Sequence, residues 1–128
     1  MRTLKFFGFF IVLIALSSCS KTDDVTQYQE AQDLDELLTE IKELASSVNC
    51  EDDEVWKFVD YGSLACGGPV DYIAYSEKID VERFLEKIAE HKKLQKEYNE
   101  NWKIASICTV PIKPADVQCD GGKPVFGY

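Results

Sequence analysis

Arginine and histidine are nearly missing from this chain. Its 128 residues hold Arg2, Arg83 and the single His91 against 23 acidic residues, for a net charge of −9. Arg2 and Lys5 fall in a segment read below as removable, which leaves 12 basic residues against 23 acidic ones, or −11. Such a chain is repelled by phosphate backbones and anionic lipid surfaces, and no basic stripe offsets that, so nucleic acid is not an expected partner. With Arg83 as the only arginine left, the bidentate clamp for phosphate or carboxylate ligands is missing as well. Cys-x-x-Cys pairs, the usual zinc signature, do not occur. Gly67-Gly68 leads into Pro69 rather than into Lys and Ser or Thr opening a helix, which excludes a phosphate-cradling loop. The acidic run Glu51-Asp52-Asp53-Glu54 is contiguous, without the alternation and turn glycine of a calcium loop, and reads as a solvated turn. No metal and no cofactor is expected.

No apolar run is long enough to cross a bilayer. The longest, Phe6 to Leu16, is broken by Gly8 and follows the cations Arg2 and Lys5, the anatomy of a secretory signal. It ends in Leu16-Ser17-Ser18-Cys19, which resembles the lipobox of bacterial lipoproteins. That resemblance implies removal of residues 1–18 and a diacylglyceryl thioether on Cys19. Several acyl chains at about 0.8 kcal/mol per buried methylene would then hold the protein to a membrane. Position 20 is serine, not the aspartate that retains bacterial lipoproteins at the inner membrane. Lys21-Thr22-Asp23-Asp24 resembles a short export signal for the outer face of the outer membrane. The implied location is the outer membrane, lipid-anchored and at the cell surface, with the periplasmic face as the other placement. Residues 19–32 are almost wholly polar and read as a flexible tether, and residues 33–128 as one small domain.

Within that domain, Leu34, Leu37, Leu38, Ile41, Leu44, Ala45 and Val48 recur at steps of three and four, predicting a helix over 33–47 capped by Asp33. Val55 to Tyr61 and Tyr72 to Tyr75 read as strands joined through Gly67-Gly68-Pro69. Asp80 is placed to cap a second, longer helix with Val81, Phe84, Leu85, Ile88, Leu94, Tyr98 and Trp102 on its apolar side. His91, flanked by lysines, is assigned to the solvated face of that helix. Ile104 to Val110 is a strand candidate, and Val117-Cys119 and Pro124-Tyr128 flank a tight Asp120-Gly121-Gly122 turn, Pro124 marking an edge strand. The expected fold is α+β, a small antiparallel sheet under one long and one shorter helix.

Apart from Cys19, the cysteines are an even set, Cys50, Cys66, Cys108 and Cys119, and export favours two disulfides over a zinc site or a reactive thiol. Three pairings can be drawn. We favour Cys66 with Cys108 and Cys50 with Cys119, because bridges closing long loops across the second helix would hold the ends of the sheet together.

The run Trp56 to Ser76 with its Ala65-Cys66-Gly67-Gly68-Pro69, then Ile79-Asp80, Tyr98-Asn99, Ser106-x-Cys108 and Val117-x-Cys119, resembles a group of small bacterial secreted and lipoprotein domains. The resemblance covers about Cys50 to Tyr128 and brings no activity and no catalytic residues.

Two function classes follow. The first is a non-enzymatic module that binds a protein or glycan, with Tyr61, Asp71, Tyr72 and Tyr75 as candidate contacts; one version is an inhibitor of a basic hydrolase such as lysozyme, onto which an acidic protein is steered. The second is a small hydrolase using Asp60 and Asp71 as paired carboxylates, whose separation would have to be about 5 to 9.5 Å.

Overall fold

The computed structural model describes residues 21–52 and 55–128. The proposed signal segment, Cys19, and Asp53 and Glu54 of the acidic run lie outside them. The described chain is α+β: α1 (Lys21–Ala45), β1 (Trp56–Tyr61), β2 (Asp71–Ser76), α2 (Val81–Asn101), β3 (Asp116–Asp120) and β4 (Lys123–Gly127). Instead of one sheet there are two antiparallel two-stranded sheets, β1 with β2 and β3 with β4. The second packs on the first, β3 against β1 and β4 against β2, and Phe58 meets Phe126 edge to face at 6.1 Å between ring centres.

The core lies between the helices and the inner face of β1–β2. Register pairs Val59 with Ile73 and Lys57 with Tyr75, so these side chains share one face of the pleat. Val59, Tyr61 and Ile73 pack on a buried cluster of Ile41, Ala45, Tyr75, Phe84 and Ile88. Phe84 and Ile41 are fully enclosed, and the Phe84 ring sits 4.8 Å from that of Tyr75. Burying such a side chain stabilises a domain by about 1.5–3 kcal/mol. Asp80 caps α2 as expected, its carboxylate accepting from the Arg83 N–H at 3.1 Å.

Three expectations are corrected. The first helix is the longer one, 25 residues against 21 in α2, and it runs through residues 21–32, which were expected to be a flexible tether. No glycine or proline interrupts that stretch, and its side chains dock on α2: the Trp102 Nε1–H donates to Glu30 at 2.7 Å, and Gln27 reaches the Tyr98 hydroxyl at 3.5 Å. Asp33 therefore caps nothing and accepts from Gln29 one turn earlier at 2.9 Å. The second correction is His91. It is 2% exposed, because 84, 88, 91, 95, 98 and 102 follow one another at steps of four and three along the inner stripe of α2. The third is Ile104 to Val110, which has strand-like composition but forms no strand: no edge pairs with it, and all of residues 105–110 are exposed.

The cysteines pair Cys50–Cys119 and Cys66–Cys108, with Cα–Cα distances of 5.4 and 6.0 Å. The first joins the segment after α1 to β3, where the Cys50 N–H also donates to the Gly122 carbonyl at 3.0 Å. Gly121 and Gly122 both adopt positive φ, 57° and 79°, the geometry of a two-residue hairpin turn that suits glycine at both places.

Candidate functional site

Among the described residues an open cleft of about 610 Å³ lies between the C-terminal end of α1, the end of β2 away from α2's cap, and the β3–β4 turn. Tyr72, Ile73 and Ala74 give one wall, Pro124 and Phe126 another, and Ala45 and Val48 the floor near the helix end. Two cations reach its rim, Lys42 from α1 and Lys123 from β4, and neither forms an ion pair among the described residues. Its lining contains no carboxylate, no imidazole and no thiol. In a chain of net charge −9 this makes a local cationic rim over an apolar trough. Chemically, that combination can hold an anionic group by its charge and an apolar body by contact.

Of the four residues singled out in the sequence, the structure brings only Tyr72 to the cleft. Tyr72 is half-buried and stacks edge to face on Phe58 at 5.9 Å. Asp71 is exposed at the start of β2, where its carboxylate accepts from the Tyr72 N–H at 2.8 Å. Tyr61 turns to the core side, and burial, with the Asp71 charge adding to it, pushes its hydroxyl above the usual tyrosine range. Tyr75 is withdrawn as a contact residue, since it is 7% exposed and belongs to the core. Tyr75 shares the core-side face with Ile73 and is taken up there by the Phe84 ring, whereas Tyr72 points the other way. Lys42, Lys123 and Phe126 were missed. Lys42 is one of several charges on α1, and the hairpin turn comes beside it through the Cys50–Cys119 bridge and the Cys50 N–H bond to the Gly122 carbonyl.

The paired-carboxylate arrangement does not form. Asp60 lies opposite Tyr72 and Asp71 opposite Tyr61 in the register, so the two carboxylates point to opposite faces. Asp60 is instead held by Lys92 of α2 at 2.5 Å. His91 stands apart from every concavity described. Burial first of all pushes its pKa below the usual histidine value; a hydrogen bond to the Leu34 backbone opposes that, and the charge of Lys42 adds to it. Its Nδ1 has no hydrogen-bond partner among the described residues. Among the described residues no group of three or more histidine, cysteine, aspartate or glutamate side chains could hold a metal ion.

A second construction surrounds the glycines. Gly62, at φ 73°, packs so closely that a Cβ would meet Val70 at 2.6 Å and Gln95 at 2.8 Å. Gln95 accepts from the Ser63 N–H at 2.8 Å and Asn99 donates to the Ser63 carbonyl at 2.8 Å, so α2 fixes where the β1–β2 connection leaves the sheet. The Ala65–Pro69 motif then folds on itself through Leu64 N–H to Gly68 and Gly67 N–H to Leu64.

No family model matches the chain, and neither a curated protein nor a solved structure shows significant similarity to it.

Proposed function

We propose that this protein is a lipid-anchored outer-membrane module, exposed at the cell surface through Cys19, that binds a protein or glycan without catalysing a reaction on it. The observation that carries the binding reading is the 610 Å³ cleft, largely apolar in its walls, cationic at its rim and without carboxylate, imidazole or thiol in its lining. Its ligand presents an anionic group beside an apolar surface, as a uronic-acid glycan or an acidic peptide does. The anchor rests on the Leu16-Ser17-Ser18-Cys19 sequence after a signal-like apolar run.

Two measurements test this. Cys19→Ala should move the protein from the membrane fraction to the soluble fraction, and unchanged attachment would sink the anchor. Screening the full chain against acidic and neutral glycans and acidic peptides should give binding that Tyr72→Ala and Lys123→Glu each weaken about tenfold or more. Binding untouched by both substitutions would place recognition elsewhere.

A further inference from the structure

The Ala-Cys-Gly-Gly-Pro motif contributes nothing to the cleft. What it supports is the segment between α2 and β3. We propose that residues 106–113 form an inhibitory loop that enters the substrate cleft of an endopeptidase whose subsites prefer aliphatic side chains. This goes beyond the cleft reading, uses a different surface, and stands or falls separately from it.

The loop is apolar, outward-facing and fixed. Ile107, Val110 and Ile112 are 86%, 60% and 75% exposed, although a chain with so small a core has every reason to bury them. They stay outside because the backbone beneath them is tied down. Ile104 N–H donates to the Asn99 carbonyl at 3.0 Å and Ala115 N–H to the Gly127 carbonyl at 2.8 Å, closing the two ends. Between these, the Ala65 N–H donates to Ser106 Oγ at 3.2 Å, Cys66 is bonded to Cys108, and the Gly68 turn lies under Val110, whose Cγ2 is 3.9 Å from where a Cβ would stand. Pro111 and the buried Pro114 stiffen the outgoing arm. Order of this kind lowers the entropy lost on binding.

The backbone points to the kind of partner. From 105 to 113 the only N–H bonded within the described protein is that of Thr109, to the Ile107 carbonyl at 2.9 Å. The other N–H groups, those of Ile107, Cys108, Val110 and Ile112 among them, are available to a partner. Beyond the tight turn at Ile107–Thr109, a loop with free N–H groups and side chains reaching for pockets can pair with a peptidase cleft through its backbone. A bilayer offers no such partners for backbone groups, so insertion into lipid is disfavoured.

The covalent frame suits a loop that survives such an encounter. Cys108 is bonded to Cys66 and Cys119 to Cys50, so water added across any peptide bond between 108 and 119 leaves both new ends, the carboxylate and the amine, attached to the domain. Proline follows the Val110 and Lys113 carbonyls, where it obstructs cleavage at both bonds. The net charge of −9 steers the domain towards a basic enzyme.

The test titrates the purified full chain in detergent into pancreatic-type elastase and a subtilisin-type peptidase, read with a small chromogenic substrate. Competitive inhibition with Kd at or below about 1 μM is expected. Ile107→Asp and Val110→Asp should each weaken it about tenfold or more with unchanged melting temperatures. No inhibition of either enzyme at about 10 μM, equal inhibition by both aspartate variants, or rapid digestion with release of fragments would overturn the proposal. So would light scattering or vesicle flotation that shows a dimer or lipid uptake, lost in Val110→Asp, without inhibition, which would assign the loop to a second copy or to a bilayer.

Discussion

Between Leu34 and Ile88 the chain is ordered by burial: Ile41 and Phe84 are fully enclosed, and Ile88, Tyr75 and Ala45 complete a continuous cluster. After Trp102 the means are different. No residue of 103–128 joins that cluster, only Pro114 is buried, and five apolar residues, Ile107, Val110, Ile112, Val125 and Tyr128, stand out in solvent. This second region is held by two disulfides, a two-glycine hairpin and a few hydrogen bonds. Both proposed recognition surfaces lie where the covalent region meets or leaves the packed one. A segment fixed by bonds can keep apolar side chains outside, where a segment fixed by packing has to spend them inside.

Substitutions separate the two means. The largest effect should come from Phe84→Ala, which empties the centre of the packed region and is expected to cost about 3–5 kcal/mol in urea unfolding, with helix and sheet signals lost together. Next is removal of Cys50–Cys119 by a paired alanine variant. It should cost about 2–5 kcal/mol, since the bond closes a separation of 69 residues, yet leave the far-ultraviolet helix signal at low temperature intact while the cleft loses its ligand. If the helices melt with the bridge, the two regions are not ordered independently. The smallest effect is one of pH. Because burial holds the His91 pKa below its ordinary value of 6.5, the unfolded chain takes up a proton first. Stability contributed by the neutral imidazole is therefore full above about pH 6.5 and is lost as pH falls below it. Unfolding curves between about pH 6.5 and 5, above the range of ordinary carboxylates, should show this slope in the native protein and not in His91→Gln. A native slope that persists in the variant would assign it to another group.

The packed region was largely legible in the sequence, because apolar steps of three and four in Leu34–Val48 and Val81–Trp102 and alternation in Trp56–Tyr61 each report burial directly. Asp80 was legible as a cap for the same local reason. What escaped depended on contacts distant in sequence. Residues 21–32 are polar enough to read as a tether, and their helix docks through Glu30 and Trp102, 72 positions apart. His91 was judged by its lysine neighbours in sequence rather than by its place in the stripe. Ile104–Val110 has the composition of a strand, but a strand also needs an edge to pair with. Of the cleft, the sequence offered Tyr72 only as one of four candidates with nothing to separate it from Tyr61, Asp71 and Tyr75, and Lys42 and Lys123 not at all, since they meet at one rim only once the hairpin is closed.

The length of α1 bears on how the proposed anchor would work. At 1.5 Å per residue its 25 residues make a rod of about 38 Å, and in the sequence Ser20 alone separates it from Cys19. Lys42 and Ala45, at the far end of that rod, line the cleft. A polar coil of the same number of residues would let the cleft wander within about 25–30 Å of the lipid, at every height down to the surface. With the proposed anchor in place, a helix would instead act as a mast: it would set, through its tilt, the height at which a ligand is met, and hold the site clear of the headgroups to which an acidic protein is poorly suited.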